Sequence, residues 1–168
     1  MKKIIHLNGF GFSLIELILV IALLGTILTI ATVNLFKPVQ SAKINSVSTD
    51  VVAILREAQN KAINTDTQGG ATASDYGVHF ETNKYILFKG ASFNAADPNN
   101  FVVDAPQGIK FTANLPSSNV VFQRISGEVA SFDGSKNTVC LTETSSNKSL
   151  LLRVNFVGVV DVLQQACS

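Results

Sequence analysis

The chain is poor in the residues from which catalytic and metal sites are usually built. It has no tryptophan, and its two histidines, His6 and His79, lie far apart. Its two cysteines, Cys140 and Cys167, lie near the C-terminus, so this inventory does not supply the usual four-ligand zinc site. Charged residues make up only 15% of the chain and the formal net charge is +1. The basic residues are scattered, which is not the footprint of tight nucleic-acid binding.

Catalytic motifs are missing from the sequence as well. It contains neither a Gly-x-Ser-x-Gly nucleophile elbow nor a glycine-rich phosphate loop. His79 falls within an alternating strand pattern, where a histidine more often packs or points to solvent than catalyses. We therefore expect that the protein is not an enzyme and that it has no catalytic residue, no cofactor and no metal site.

What the chain does contain is one long apolar run near its N-terminus. Residues 17–36 are twenty consecutive residues without a charge, enough for a helix to span a hydrocarbon core of about 30 Å. Lys2 and Lys3 precede the run, and positive charge there holds that end in the cytoplasm. A removable secretory signal has its small cleavage residue after the apolar region, whereas here the small residue, Gly11, precedes it. The sequence therefore predicts a retained, single-pass membrane helix.

One carboxylate, that of Glu16, lies near the start of this apolar segment. An unpaired charge in a bilayer core costs about 3 kcal/mol or more, so an ionisable residue there suggests a function. The alternative is a glutamate at the headgroup interface with no special task.

Segment 11–16, Gly-Phe-Ser-Leu-Ile-Glu, resembles the processing motif of type IV prepilins and type II secretion pseudopilins. The resemblance implies that a membrane prepilin peptidase cuts after Gly11 and methylates Phe12, the first residue of the mature chain. It also places Glu16 on the family glutamate, whose carboxylate meets the terminal ammonium of a neighbouring subunit in the filament. The implied partners are the peptidase, other pilin or pseudopilin subunits and the inner membrane.

The helical pattern continues beyond the apolar run, over residues 37–64. Apolar residues recur there three or four positions apart and predict one buried stripe: Val39, Ala42, Val47, Val51, Ile54 or Leu55, Ala58 and Ala62. After a polar loop, the periodicity becomes two. Strands are predicted at 76–81, 84–89, 109–112, 120–125, 128–132, 138–143, 149–156 and 159–163, with a tight hairpin turn at 82–83.

These elements predict an α+β fold, in which a long N-terminal helix packs on a C-terminal antiparallel sheet or sandwich. The expected parts are a leader at 1–11, a transmembrane and filament-core helix at 12–36, an amphipathic helix at 37–64 and a β-rich globular domain at 76–168. The β half resembles the GspH/FimT-like branch of minor pseudopilins and minor pilins. That resemblance rests on the segment 76–80, the strand 85–88, Val121-Phe122 before Gly127, and the closing hairpin around Gly158.

The two cysteines form an even pair behind an exported anchor. Such a pair fits a disulfide between Cys140 and Cys167 in an oxidising compartment. Two reduced, buried thiols are the alternative.

The resemblance implies a structural subunit, a minor pilin or pseudopilin, of a type IV pilus or a type II secretion pseudopilus. We expect it in the bacterial inner membrane, with its N-terminus cytoplasmic and its β domain outside the cytoplasm, and later in the pilus or pseudopilus. The alternatives are a DNA-binding minor pilin for DNA uptake and a plain single-pass anchored β domain. Residues 153–168 contain one arginine, one aspartate and no lysine, so we do not expect nucleic acid as a partner.

Overall fold

The structure contains one long helix, one short 3-10 helix and eight strands in the residues that it describes. It is a computed structural model that describes residues 13–64, 73–165 and 167, without the side chains of residues 30–40. The elements are α1 (Leu14–Ile63), β1 (Tyr76–Glu81), β2 (Lys84–Lys89), β3 (Phe101–Asp104), β4 (Ile109–Asn114), the 3-10 helix (Pro116–Ser118), β5 (Asn119–Phe122), β6 (Thr138–Glu143), β7 (Lys148–Val154) and β8 (Val160–Leu163). The chain divides into two compact units, Met1–Pro38 and Val39–Ser168.

The strands form two four-stranded sheets in which every pair of neighbours is antiparallel. Sheet A has the order β3-β2-β1-β5, and sheet B has the order β4-β6-β7-β8. The predicted hairpin at 82–83 is confirmed, because Glu81 pairs with Lys84 and leaves a two-residue turn. The α+β class predicted from the sequence is confirmed too.

The predicted strand at 120–125 is confirmed only over its first three residues, and the predicted strand at 128–132 is wrong. β5 ends at Phe122, and the second segment contributes only an isolated bridge between Val129 and Phe122. The backbone explains this, since Ile125 and Gly127 have φ of 72° and 69°, in the left-handed region that ends an extended strand. The Ile125 N–H then donates to the carbonyl of Ala62, at 3.0 Å, so the turn is fastened to the last residues of α1.

β3 is the strand that the sequence reading missed. It has four residues, follows a polar loop and lies at the edge of sheet A, where it pairs only with β2. Its Phe101 and Val102 are 56% and 49% exposed. A short edge strand with exposed apolar side chains carries little of the alternating pattern by which strands are recognised.

The core of the second unit is formed by one face of α1 and by inward-facing residues of both sheets. The predicted stripe is buried from Val47 to Ala62, whereas Ala42 is exposed. The stripe belongs to one hydrophobic cluster with residues of both sheets, among them Val78, Phe80, Phe111, Phe122, Leu141 and Leu152. The helical spacing of three and four thus presents a continuous apolar face to the strands.

A second, smaller apolar layer lies on the other face of sheet A. Ile86 and Phe88 are buried although they do not belong to the main cluster. Phe93, from the connection between β2 and β3, stacks on His79 at 4.0 Å between ring centroids and meets Phe88 edge-on at 5.5 Å. The Nδ1 atom of His79 lies 2.7 Å from the Oδ1 atom of Asn119. β2 is therefore buried on both faces, and His79 packs within this layer.

Candidate functional site

Glu16 lies in the first turn of α1. The helix begins at Leu14, and the N–H groups of Glu16 and Leu17 donate to the carbonyl of Ser13 at 3.0 and 3.2 Å. A carboxylate in the first turn is favoured by the partial positive charge of the unpaired N–H groups there. The side chain of Glu16 is exposed, so it is accessible to a partner. The predicted leader, residues 1–11, and the predicted first mature residue, Phe12, lie outside the described residues.

The helix that follows Glu16 exposes an apolar surface on every side. Residues 17–21 are five consecutive exposed residues, and five residues at 100° each cover the full circumference of a helix. The exposed fractions of Leu14 and Leu28 are 77% and 63%. The hydroxyls of Thr26 and Thr29 donate to the carbonyls of Leu23 and Gly25, at 2.8 and 2.7 Å. An apolar surface of this extent is typical of a helix that is covered by a partner or by lipid.

Within the described part of the chain, no helix has the length and hydropathy that crossing a membrane requires.

Cys140 and Cys167, at the opposite end of the chain, are joined by a disulfide with a Cα–Cα distance of 5.9 Å. Cys140 lies on β6, whereas the chain reaches Cys167 from β8, two strands away in sheet B. The Ser149 hydroxyl of the intervening β7 donates to the Gln165 carbonyl at 3.5 Å. The C-terminal tail therefore crosses β7 and is covalently fastened to β6.

Replacing both Cys140 and Cys167 by serine is expected to lower the free energy of unfolding by about 3 kcal/mol. The bridge spans 27 positions of the sequence, and a loop of that size restricts the unfolded chain by an amount of this order. Urea denaturation of the two proteins measures the difference. Reducing agent should lower the stability of the wild-type protein to that of the double variant and leave the variant unchanged. Equal stability of wild type and the double variant under oxidising conditions would contradict a structural role for the disulfide.

Glu143, at the end of β6, is a buried carboxylate that the sequence reading did not identify. It is 2% exposed, and its Oε2 atom accepts hydrogen bonds from the hydroxyl and the backbone N–H of Ser146, both at 2.7 Å. The bond from the Ser146 hydroxyl is the main cause that lowers the pKa of Glu143 to about 2. The ionised carboxylate thereby closes the turn between β6 and β7.

Because the pKa of Glu143 is lower in the folded than in the unfolded protein, its contribution to stability is present above pH 4.5 and is lost as the pH falls towards about 2. We expect the melting temperature of wild type to fall over this range more than that of Glu143→Gln. Thermal unfolding of both proteins over this range measures the difference. The matched control is Glu81→Gln, which changes an exposed glutamate and should follow wild type. If the melting temperatures of wild type and Glu143→Gln fall equally with decreasing pH, the stability of the turn does not depend on this charge.

Among the described residues, no group of three or more His, Cys, Asp or Glu side chains is placed to hold a metal ion. A scan against protein-family models finds no match, and neither does a search of curated proteins. Among solved structures, the chain is similar to the minor pseudopilin EpsH from the type 2 secretion system of Vibrio cholerae. The TM-score is 0.51 at 15% sequence identity, and the alignment covers 73% of this chain and 97% of that one. At this identity the likeness establishes a shared fold.

Proposed function

We propose that this chain is a structural subunit, a minor pilin or pseudopilin, which a prepilin peptidase cuts after Gly11 and which then joins a type IV pilus or a type II secretion pseudopilus. The observation that carries the proposal is the order of the elements. The Gly-Phe-Ser-Leu-Ile-Glu segment overlaps the first turn of an apolar helix, and that helix leads into a β domain with the fold of a minor pseudopilin.

Before assembly, residues 12–36 anchor the chain in the inner membrane and leave the β domain outside the cytoplasm. Three features support this stage of the proposal. The described apolar side chains of this segment are exposed on every side of the helix. The hydroxyls of Thr26 and Thr29 are bonded to backbone carbonyls, as a helix in lipid requires. The disulfide between Cys140 and Cys167 belongs in an oxidising compartment.

During assembly, Glu16 pairs with the α-ammonium group of Phe12 in a neighbouring subunit. Leader removal creates that ammonium group in or near lipid, where an unpaired charge is costly. Phe12 and Glu16 lie four residues apart, about one helical turn, so in a helix one subunit presents both charges on the same face, about 6 Å apart along the axis. Pairing between subunits offsets the cost of both charges and fixes the axial register of the filament.

Replacing Gly11 by valine is expected to block leader removal. The proposed scissile bond follows Gly11, and a β-branched side chain there hinders the close approach of the backbone that glycine permits. Co-expression with a prepilin peptidase, followed by gel electrophoresis, measures the loss of residues 1–11.

The matched control for this test is Gly25→Ala, because a Cβ atom at Gly25 meets no other atom within 4 Å. It should be processed like wild type. Processing of Gly11→Val at the wild-type rate would contradict a cut at this position. If the wild-type protein keeps its leader in the same cells, the plain single-pass anchored β domain is the better description.

A further inference from the structure

A cleft of about 520 Å³ opens beside the first turns of α1 within the second unit. Ser41 and Asn45 of α1 line one side, Lys148 and Ser149 of β7 line the other, and Gln165 of the C-terminal tail closes the end. In the part of the chain that the structure describes, the lining contains hydroxyl, amide and ammonium groups and the apolar side chains of Ile44 and Leu150, but no carboxylate. The cleft therefore combines an apolar part with several hydrogen-bond donors and one positive charge.

The donors of the cleft suit a phosphate group. The Lys148 ammonium donates to the hydroxyl of Ser41, which positions its charge between β7 and α1. An ammonium group has three donors, and the amides of Asn45 and Gln165 add more. A phosphate oxygen that receives such charge-assisted bonds is bound more strongly than a neutral acceptor.

The charges around the cleft are positive on balance. Lys43, two residues after Ser41 on α1, does not line the cleft: its ammonium donates to the carbonyl of Gln107 and, like the Oε1 atom of Glu143, lies within 4 Å of where a Cβ atom on Gly108 would stand. Glu143 pairs with Lys148 in the register of β6 and β7, but it is 2% exposed and its carboxylate is bonded to Ser146. Lys148 is therefore the one charged residue that lines the cleft in the described part of the chain, and an anion is favoured there.

The position of the cleft along the chain indicates which anion this is. Ser41 follows Phe36, the last residue of the apolar run, by five positions. These residues are part of α1, so five of them rise by about 7.5 Å, which is comparable to the polar layer of about 5 to 8 Å on each side of a bilayer core. A chain that is anchored by its apolar run thus keeps this cleft within reach of lipid headgroups.

We propose that the cleft between α1, β7 and the C-terminal tail binds the phosphate of an anionic phospholipid headgroup while the chain is in the membrane. This inference rests on the proposed membrane anchoring of residues 12–36. It adds a lipid contact that holds the β domain close to the bilayer before the subunit leaves for the filament.

The test compares the full chain in nanodiscs of phosphatidylcholine with the full chain in nanodiscs that contain phosphatidylglycerol. Hydrogen exchange of residues 41–45 and 147–150 should be about fivefold slower with the anionic lipid, the factor expected for one lysine near an anionic surface. Lys148→Gln should lose this protection. The matched control is Lys136→Gln, which changes an exposed lysine just before the first residue of β6, whereas Lys148 lies beside the last. This variant should keep the protection by the anionic lipid.

Four results would overturn the inference. Equal exchange in both nanodiscs, or unchanged protection in Lys148→Gln, would show that the cleft does not bind the headgroup, although the anchoring would stand. Equal protection by inorganic phosphate added to phosphatidylcholine nanodiscs would assign the cleft to free phosphate. A chain that enters neither nanodisc would contradict the proposed anchoring, and the inference would fail with it.

Discussion

Replacing Glu16 by alanine is expected to reduce incorporation of the chain into filaments by about two orders of magnitude or more, while membrane insertion and leader removal continue. The variant would leave the Phe12 ammonium group of a neighbouring subunit without its partner, and an uncompensated buried charge costs about 3 to 5 kcal/mol. Immunoblots of sheared filaments and of membranes, from cells that also contain the partner subunits, measure the distribution of the protein.

The matched control for Glu16 is Glu57→Ala. Glu57 is an exposed glutamate of the same helix, 3.8 Å from the ammonium group of Lys61. An exposed pair of this kind contributes little to stability, so assembly of this variant should be close to that of wild type. If Glu16→Ala enters filaments as efficiently as Glu57→Ala, the proposed pairing is wrong.

Replacing Phe122 by alanine is expected to cause the largest loss of stability in the β domain, about 3 to 5 kcal/mol. Phe122 is 0% exposed and belongs to the main hydrophobic cluster. Its ring lies 2.9 Å from where a Cβ atom on Gly158 would stand, so the backbone packs directly against it. Removing the ring leaves a cavity between β5 and the turn after β7, and urea denaturation measures the loss.

The matched control for Phe122 is Phe101→Ala, the same chemical change on the edge strand β3. Phe101 is 56% exposed, so its removal opens no enclosed cavity, and the loss should be well under that of Phe122→Ala. Similar losses for the two variants would contradict the assignment of Phe122 to the core.

The parts of the fold that the sequence predicts are those in which one local pattern decides the structure. The strands at 76–81, 84–89 and 138–143 have their predicted bounds because their apolar residues and flanking turns agree. The buried stripe from Val47 to Ala62 follows from helical spacing in the same way.

The parts that it does not predict depend on contacts between distant segments. Residues 123–127 form a turn fastened to Ala62 of α1, which no pattern within that segment indicates. Phe93 covers the second face of sheet A from a polar loop, so the burial of Ile86 and Phe88 depends on a connection that their own strand does not show. Tertiary packing overrides the local signal at these places.

The candidate functional residues also fall into those that a local pattern predicts and those that only the fold brings together. The motif at 11–16 is contiguous, so it is found from the sequence alone. The cleft is not, since Ser41 and Lys148 lie 107 positions apart and meet only in the folded domain. Glu143 likewise resembles an ordinary strand-end glutamate until Ser146 is placed against it.

The measurement that tests the proposed pathway most directly is the intact mass of the protein purified from the membranes of cells with an active prepilin peptidase. We predict a chain that lacks residues 1–11 and carries one methyl group on the α-amine of Phe12. A chain that keeps its leader in those cells would contradict processing as a prepilin, and with it the assembly of this protein as a pilin or pseudopilin.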